Sequence, residues 1–168
     1  MMKLLNQKIL FSKKECESIV WNINENIANF DMTNRKYHSQ PINYSLENKW
    51  LFDKLKYFFE FETGLKIIKN KEEIHFHKFV KGNWFDKHND VRDERLYAIG
   101  VSLNDNFEGG EFKLYNPNEI ILNKEIGNTY IFDVTIMHEI TPILEGERYT
   151  LLWFLQKEHI KIETNKLI

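Results

Sequence analysis

The change of sequence pattern near residue 66 constrains the fold more than any other feature of the chain. Beyond it, short runs rich in β-branched and aromatic residues alternate with turn signals such as Lys81-Gly82-Asn83 and Glu145-Gly146. Runs of this length and composition are typical of β-strands. The pattern predicts eight strands, over residues 66–69, 73–80, 95–103, 110–115, 119–122, 128–133, 137–141 and 147–157.

The first 65 residues show the spacing of helices instead. Ser12 and Glu15 form a capping-box pattern ahead of apolar residues at helical spacing, which predicts a helix over about residues 12–29. A second helix is predicted over about residues 45–63, between Ser45 and Gly64. Its expected apolar face consists of Trp50, Leu51, Leu55, Phe58 and Phe59.

Two helices followed by many short strands predict a mainly β fold with N-terminal helices. A β-sandwich or jelly roll, with the helices against one face, is the expected architecture. The 168 residues suit a single domain, 1–168, with residues 1–65 as a helical buttress and residues 66–160 as the jelly-roll core.

Charge and cysteine content limit the expected partners and location. The formal net charge of −2 lacks the basic excess that nucleic-acid binding normally requires, so no nucleic-acid partner is expected. No run of about 18 uncharged apolar residues is present, so no membrane contact is expected either. Cys16 is the single cysteine, and the N-terminal residues lack the apolar segment of a secretory signal. These observations predict a soluble, cytoplasmic (intracellular) protein.

Two potential metal ligands, His88 and Asp90, lie two residues apart. In extended backbone, residues i and i+2 point to the same side, so the imidazole and the carboxylate converge. Taken alone, such a pair is more often part of a solvated loop.

A third candidate ligand, His138, lies in an otherwise apolar strand, where a hydrogen-bonded core histidine is the simpler interpretation. Arg148 follows ten residues later, in a strand with two apolar faces. A guanidinium directed into a core requires an anion, and a carboxylate fits it best. Pairing with surface Glu145 or Glu147 is the alternative. Alternation places Arg148, Thr150, Leu152 and Phe154 on one face, and Tyr149, Leu151, Trp153 and Leu155 on the other.

Two histidines and one carboxylate, with the remaining positions open, form the facial triad of non-haem Fe(II) oxygenases. A closed zinc site would need a fourth protein ligand. His75 and His77 are an alternative pair similar to the first ligands of a cupin site, but the glutamate and glycines expected there are missing. His77 is instead expected to line the pocket beside Phe79.

The order of these residues resembles the prolyl 4-hydroxylase-like branch of the 2-oxoglutarate and Fe(II)-dependent oxygenases, over about residues 74–157. His88-x-Asp90 is followed after 47 residues by His138 and after nine more by Arg148. Further matching segments are Phe79-Val80-Lys81-Gly82, Leu103-Asn104-Asp105, Gly109-Gly110-Glu111-Phe112, Gly127 with Ile131-Phe132, Thr141-Pro142-Ile143 and Gly146-Glu147-Arg148-Tyr149.

This resemblance implies a double-stranded β-helix (jelly roll, cupin-like) catalytic core with the site inside the barrel mouth. It implies Fe(II) held by His88, Asp90 and His138, and 2-oxoglutarate as co-substrate with its C5 carboxylate on Arg148. Dioxygen is the second co-substrate, and ascorbate is a further candidate cofactor. Thr150, on the same face as Arg148, is a candidate to donate its hydroxyl to that carboxylate.

Phe79 and Ser102 are expected to shape the co-substrate pocket. Many prolyl hydroxylases have a tyrosine at each of these positions and a threonine at the position of Ala98. Trp84 and Phe85 are candidates to flank the substrate entrance, although core or rim aromatics are the simpler interpretation. In the segment after Asp90, Arg92 and Arg95 are candidates to meet an anionic part of the substrate.

The function implied is hydroxylation of an unactivated C–H bond. The first candidate substrate is a prolyl or other residue of a peptide or protein, and the alternative is a free amino acid or small metabolite. An inactive jelly roll that serves as a binding module is the hypothesis from another class.

Overall fold

The structure of the protein is a computed structural model that describes residues 5–27, 37–68 and 73–161. Within these residues there are two α-helices, α1 (Lys13–Ile27) and α2 (Lys49–Thr63). Fourteen strands lie in the same residues: β1 (Leu5–Ile9), β2 (His38–Asn43), β3 (Lys66–Ile67), β4 (Glu73–Val80), β5 (Phe85–His88), β6 (Arg95–Ser102), β7 (Glu108–Gly109), β8 (Phe112–Tyr115), β9 (Glu119–Ile121), β10 (Asn128–Asp133), β11 (Met137–Ile140), β12 (Ile143–Glu145), β13 (Glu147–Gln156) and β14 (Ile160–Lys161). The first helix follows strand β1, and the second lies between strands β2 and β3.

Ten of these strands form two antiparallel sheets. The larger sheet has the order β1-β10-β6-β13-β4-β2, and the smaller has the order β5-β11-β8-β9. Short ladders join β12 to β7 and β14 to β3. The arrangement confirms the predicted mainly β fold of jelly-roll type with N-terminal helices.

Two apolar clusters hold these layers together. The first lies between the helices and one face of the larger sheet, where Phe59 and Trp153 are almost fully buried. The second lies between the two sheets and contains Leu114 and Phe132. Alternation along β13 divides its side chains between the two clusters as predicted, since Leu151, Trp153 and Leu155 join the first, and Leu152 and Phe154 pack against the second.

The helix boundaries follow local hydrogen bonds. The predicted capping box is confirmed, because the Ser12 backbone N–H donates to Glu15 Oε2 (2.8 Å) and the Glu15 backbone N–H donates to Ser12 Oγ (3.2 Å). The second helix begins at Lys49 rather than Ser45, since Ser45 and Asn48 exchange side-chain and backbone hydrogen bonds in a turn ahead of it. It ends at Gly64 as predicted, in the left-handed conformation (φ 71°).

Phe52 replaces Trp50 on the buried face of α2. Trp50 is 41% exposed, whereas Phe52 is 3% exposed and packs edge-on against Trp153 at 5.7 Å. The prediction of Trp50 as a core residue is therefore wrong.

Several strands were not predicted, and two of them lie in the part of the chain expected to be helical. β1 and β2 are the outer strands of the larger sheet, one at each edge. Their sequences, LNQKI and HSQPIN, are mostly polar, and an edge strand needs only one neighbour and little burial. β5, β7, β12 and β14 were also missed. The predicted ends at residues 28–29 of the first helix and at residue 69 lie outside the described residues. Among the described residues, neither helix is long and apolar enough to cross a membrane.

Candidate metal centre and its cavity

Two histidines face each other because β5 pairs antiparallel with β11. His88 ends β5 directly opposite His138 of β11, and their ring centroids are 4.3 Å apart. Nδ1 of His88 lies 2.6 Å from the carbonyl oxygen of Asp86, and Nδ1 of His138 lies 3.0 Å from that of Ile136. A carbonyl oxygen only accepts hydrogen bonds, so each Nδ1 carries the proton and each Nε2 keeps its lone pair. Both rings are thereby oriented to bind a metal through Nε2.

Asp90 completes the group from the loop after β5. Its backbone N–H donates to the carbonyl oxygen of Val134 (3.0 Å), which ties this loop to the chain between β10 and β11. Its Oδ1 lies 3.6 Å from Nε2 of His88, and its Oδ2 lies 3.3 Å from Nε2 of His138. The structure therefore brings together the three predicted ligands.

These three side chains fit a metal ion. Their ligand atoms all lie within 4.8 Å of one another. Neighbouring ligands about 2.1 Å from a six-coordinate ion stand about 3 Å apart, which is close to the 3.3 and 3.6 Å between Asp90 and the two imidazoles. Within the described part of the chain, His88 Nε2 and Asp90 Oδ2 are buried without a hydrogen-bond partner, as expected of atoms whose partner is an ion. Two nitrogens and one carboxylate form a donor set that suits Fe(II).

The charges of the group support one another. Burial works to raise the pKa of the Asp90 carboxyl, but the neighbouring His138 and His88 lower it well below its usual range. Burial works to lower the pKa of His88, but Asp90 and the Asp86 carbonyl raise it above its usual value. The aspartate is consequently ionised and ready to bind a cation at neutral pH.

Arg148 lies in the centre of the larger sheet, on the face that looks towards the smaller one. It is 4% exposed, and burial lowers the pKa of its guanidinium. The guanidinium carbon lies 5.4 Å from the centre of the Phe79 ring. Among the described residues Arg148 has no ion-pair partner, and its Nη1 is buried without a hydrogen-bond partner. A buried cation with an unpaired donor indicates a site for an anion.

The alternative partners of Arg148 pair with other cations. Glu145 lies 3.4 Å from the Lys81 ammonium, and Glu147 lies 2.9 Å from that of Lys78. Pairing of the arginine with a surface glutamate is therefore not observed.

One cavity of about 300 Å³ contains the three ligands and Arg148. Its volume suits a small dicarboxylate beside a metal ion. Thr150 also lines it, as expected from its place on the arginine's face of β13. Other residues that the sequence analysis proposed for a metal site, the pocket or its entrance also line the cavity: His75, His77, Phe85, Arg92 and Arg95.

Phe79 and Ser102, which were expected to shape the co-substrate pocket, do not line the cavity. Phe79 is fully buried in the second cluster, behind Arg148, and Ser102 is 7% exposed and pairs with Thr150 across β6 and β13. Neither is among the cavity-lining residues. Trp84 also lies off the cavity wall, with its indole N–H donating to Asp86.

The His75 and His77 alternative is not supported as a metal site. Among the described residues, only His88, Asp90 and His138 form a group with metal-binding geometry. His77 lies opposite Thr150 on the neighbouring strand, and burial lowers its pKa to about 3, so it is neutral. The pair contributes to the cavity wall, as the other interpretation of His77 predicted.

Tyr130 and Tyr37 line the cavity but were not predicted to do so. Tyr130 lies in the apolar run Tyr130-Ile131-Phe132, which is typical of any core strand. Its position became visible only through the pairing of β10 with β6, where Tyr130 lies opposite Gly100. A glycine in the middle of a strand is the one sequence signal that could have indicated a close approach.

Comparison with protein families agrees with this geometry. Residues 74–156, just under half of the chain, match the model of the 2OG-Fe(II) oxygenase superfamily. No curated protein matches the chain. The matched residues include the three predicted metal ligands and Arg148.

Solved prolyl hydroxylases share the fold. A prolyl-4-hydroxylase from Pseudomonas putida is 20% identical, with a TM-score of 0.72 over 91% of this chain and 92% of that one. A prolyl hydroxylase from Trichoplax adhaerens, in complex with a hypoxia inducible factor peptide fragment, is 18% identical, with a TM-score of 0.72 over 94% and 84%. A viral collagen prolyl hydroxylase from Paramecium Bursaria Chlorella virus-1 is 14% identical, with a TM-score of 0.71 over 89% and 93%. The chain thus resembles the prolyl 4-hydroxylase-like oxygenases, for which Fe(II) is the cofactor and 2-oxoglutarate and dioxygen are co-substrates.

Proposed function

Because residues 74–156 match the 2OG-Fe(II) oxygenase superfamily, we propose that the chain is a dioxygenase that hydroxylates an unactivated C–H bond. His88, Asp90 and His138 hold the iron, and Arg148 holds the far carboxylate of 2-oxoglutarate. One observation carries the proposal: a metal-ligand triad and a buried, unpaired guanidinium share a single cavity.

Iron held by these residues would supply the oxidation, in which 2-oxoglutarate and dioxygen would give succinate and carbon dioxide and one oxygen atom would become a hydroxyl on the substrate carbon. The protein's own residues provide position and charge. Arg148 and Thr150 fix one end of the dicarboxylate, so its other end is directed towards the triad. Phe85, Phe112 and Phe132 provide apolar walls that exclude water from the reacting atoms.

Peptidyl proline or another residue of a peptide or protein is the first candidate substrate. The Trichoplax prolyl hydroxylase with the similar fold was solved with a peptide fragment, which supports a cavity of this kind receiving a peptide. Tyr37, Ser39 and Asn89 also line the cavity, and their polar groups can form hydrogen bonds with a peptide backbone.

A free amino acid or another small carboxylic acid is the second candidate, and Arg95 favours it. Nη1 of Arg95 is buried without a hydrogen-bond partner, and its guanidinium carbon lies 3.7 Å from the centre of the Phe154 ring. Arg92 lines the same cavity. Burial lowers the pKa of Arg95, and the positive charge of Arg92 lowers it further. Two further cations in the wall of a cavity that already contains Arg148 favour a substrate with a negative charge.

The test of the iron site is substitution of its ligands. We expect His88→Ala or Asp90→Ala to abolish iron-dependent conversion of 2-oxoglutarate to succinate, because two remaining ligands do not hold the ion. Asp53→Asn is the matched control, since Asp53 is an exposed carboxylate on α2 that pairs with Lys49 and does not line the cavity. Wild-type turnover in either ligand variant would contradict the proposal.

A substrate panel ranks the candidates. Succinate release is measured with proline-containing peptides, with free amino acids and small carboxylic acids, and with the amides of those acids. Stimulation by peptides supports the first candidate, and stimulation by acids but not by their amides supports the second. Absence of succinate release from iron-loaded wild type, together with no visible absorption change on adding 2-oxoglutarate without oxygen, would favour an inactive binding module.

A further inference from the structure

Tyr130 occupies a space that exists only because residue 100 is glycine. The two residues lie opposite each other in the pairing of β10 with β6. A Cβ atom at position 100 would overlap the ring carbons and the hydroxyl of Tyr130. The phenol therefore lies over β6 at Gly100, and β6 is the strand between β10 and β13.

This path brings the hydroxyl to Arg148. Strands in a sheet are about 4.8 Å apart, so a tyrosine ring that crosses one strand reaches the side chains of the next. Tyr130 and Arg148 are both buried, both line the cavity, and each lies close enough to shift the pKa of the other. Phe112 (5.3 Å between ring centroids) and Phe132 (6.3 Å) pack against the phenol and hold it in place.

The chemistry of the pair is complementary. A guanidinium only donates hydrogen bonds, whereas a phenol oxygen accepts one and its O–H donates another. Burial raises the pKa of Tyr130, so the phenol keeps its proton at neutral pH. A guanidinium N–H can donate to the phenol oxygen, which leaves the phenol O–H and the buried Nη1 of Arg148 to bind one anion.

We propose that Tyr130 is a second anchor for the far carboxylate of 2-oxoglutarate and limits the length of the dicarboxylate that the cavity accepts. This inference rests on the proposed function. The hydroxyl binds the carboxylate together with Arg148, and because Gly100 lies directly behind the ring, the ring cannot move back for a longer chain.

The test compares Tyr130→Phe with Tyr149→Phe. The first variant removes one oxygen and keeps the ring. The second removes the same atom from a tyrosine on the opposite face of β13, which stacks on Phe76 and bonds to Glu147 away from the cavity. Anaerobic calorimetry on the Fe(II)-loaded proteins measures the dissociation constants of 2-oxoglutarate and of 2-oxoadipate, which is one methylene longer. Steady-state succinate release then gives kcat and KM for 2-oxoglutarate.

We expect Tyr130→Phe to raise the dissociation constant of 2-oxoglutarate about 10-fold, because one hydrogen bond to a charged group is lost. The substitution should change kcat less than KM. Binding of 2-oxoadipate should weaken less or improve, so the preference for the shorter acid falls. Tyr149→Phe should leave both constants unchanged. Gly100→Ala, which displaces the ring instead of removing its oxygen, should also weaken 2-oxoglutarate.

Binding of 2-oxoglutarate by Tyr130→Phe within twofold of wild type would overturn the inference while leaving the proposed function intact. An unchanged preference between the two acids would overturn the length limit. Failure of the wild-type protein itself to bind 2-oxoglutarate would overturn the proposed function and, with it, this inference.

Discussion

Arg148 is surrounded by groups that make its position costly without a ligand. Burial removes water from the guanidinium, and the Phe79 ring offers only a weak interaction at 5.4 Å. Side chains in this condition usually meet an anion. The arginine therefore distinguishes this cavity from a site that needs only a metal.

The first residue-scale prediction concerns Arg148. Arg148→Ala should raise KM for 2-oxoglutarate about 30-fold or more, since loss of a charge-assisted pair costs about 2 kcal/mol. Arg148→Lys, which keeps the charge but loses the two-pronged geometry, should fall between wild type and alanine. Steady-state succinate release over a range of 2-oxoglutarate concentrations measures both, and an unmoved KM in the alanine variant would contradict the anchor.

At this scale the sequence was informative wherever chemistry restricts the residue type. His88, Asp90, His138 and Arg148 could be chosen because residue types that bind a metal and an anion occur in the order found in the prolyl 4-hydroxylase-like oxygenases that the chain resembles. Tyr130 could not be chosen, because its ring lies where residue 100, on another strand, has no side chain.

At the scale of elements, two glycines in turns differ in whether the structure leaves space for a side chain. Gly127 (φ 84°) accepts hydrogen bonds from Leu10 and Phe11 and donates one to Ser102, which ties the β1–α1 junction to the larger sheet. A Cβ there would overlap the carbonyl oxygen of Phe11. Gly82 has a similar backbone (φ 85°), but nothing lies within 4 Å of the position of its Cβ.

This pair of glycines gives a prediction about stability. Gly127→Ala should lower the free energy of unfolding by about 3 kcal/mol, from the left-handed backbone together with the overlap. Gly82→Ala, which suffers the backbone cost alone, should lower it by about 1 kcal/mol. Urea unfolding of both variants measures the difference, and equal losses would show that the Phe11 contact is relieved without cost.

Element types were predictable where the side chains are buried, and not where they are exposed. Strands such as β6, β10 and β13, whose apolar side chains meet a cluster, were predicted within one or two residues. β1 and β2 form by pairing their backbones with an existing edge, and their polar side chains show no trace of this. Tertiary pairing thus decided the elements that local pattern could not.

At the scale of the whole molecule, one thiol reports on the contact between the helical layer and the larger sheet. Cys16 lies on α1 with no exposed surface, within the first cluster. Burial raises the pKa of its thiol to about 12, so at pH 8 roughly one molecule in ten thousand holds a thiolate. Reaction requires the helix to leave the sheet.

We therefore expect the native protein to resist a thiol reagent at pH 8. Labelling with an aromatic disulfide reagent, followed by absorbance, should proceed no faster than opening of the structure, and should complete at once in denaturant. Cys16→Ala provides the blank. Stoichiometric labelling of native protein within minutes would show that α1 separates readily from the sheet.

The pairing of β5 with β11 has a consequence for how the chain reaches its native state. Shifting β5 by one residue would place Lys87 or Asn89 opposite His138 and turn the His88 imidazole to the other face. Only one alignment of these two short strands therefore presents three ligand atoms to an ion. An ion that binds this alignment and no other stabilises it by mass action. A metal ion held by His88, Asp90 and His138 would therefore favour the native alignment of β5 with β11 over its shifted alternatives.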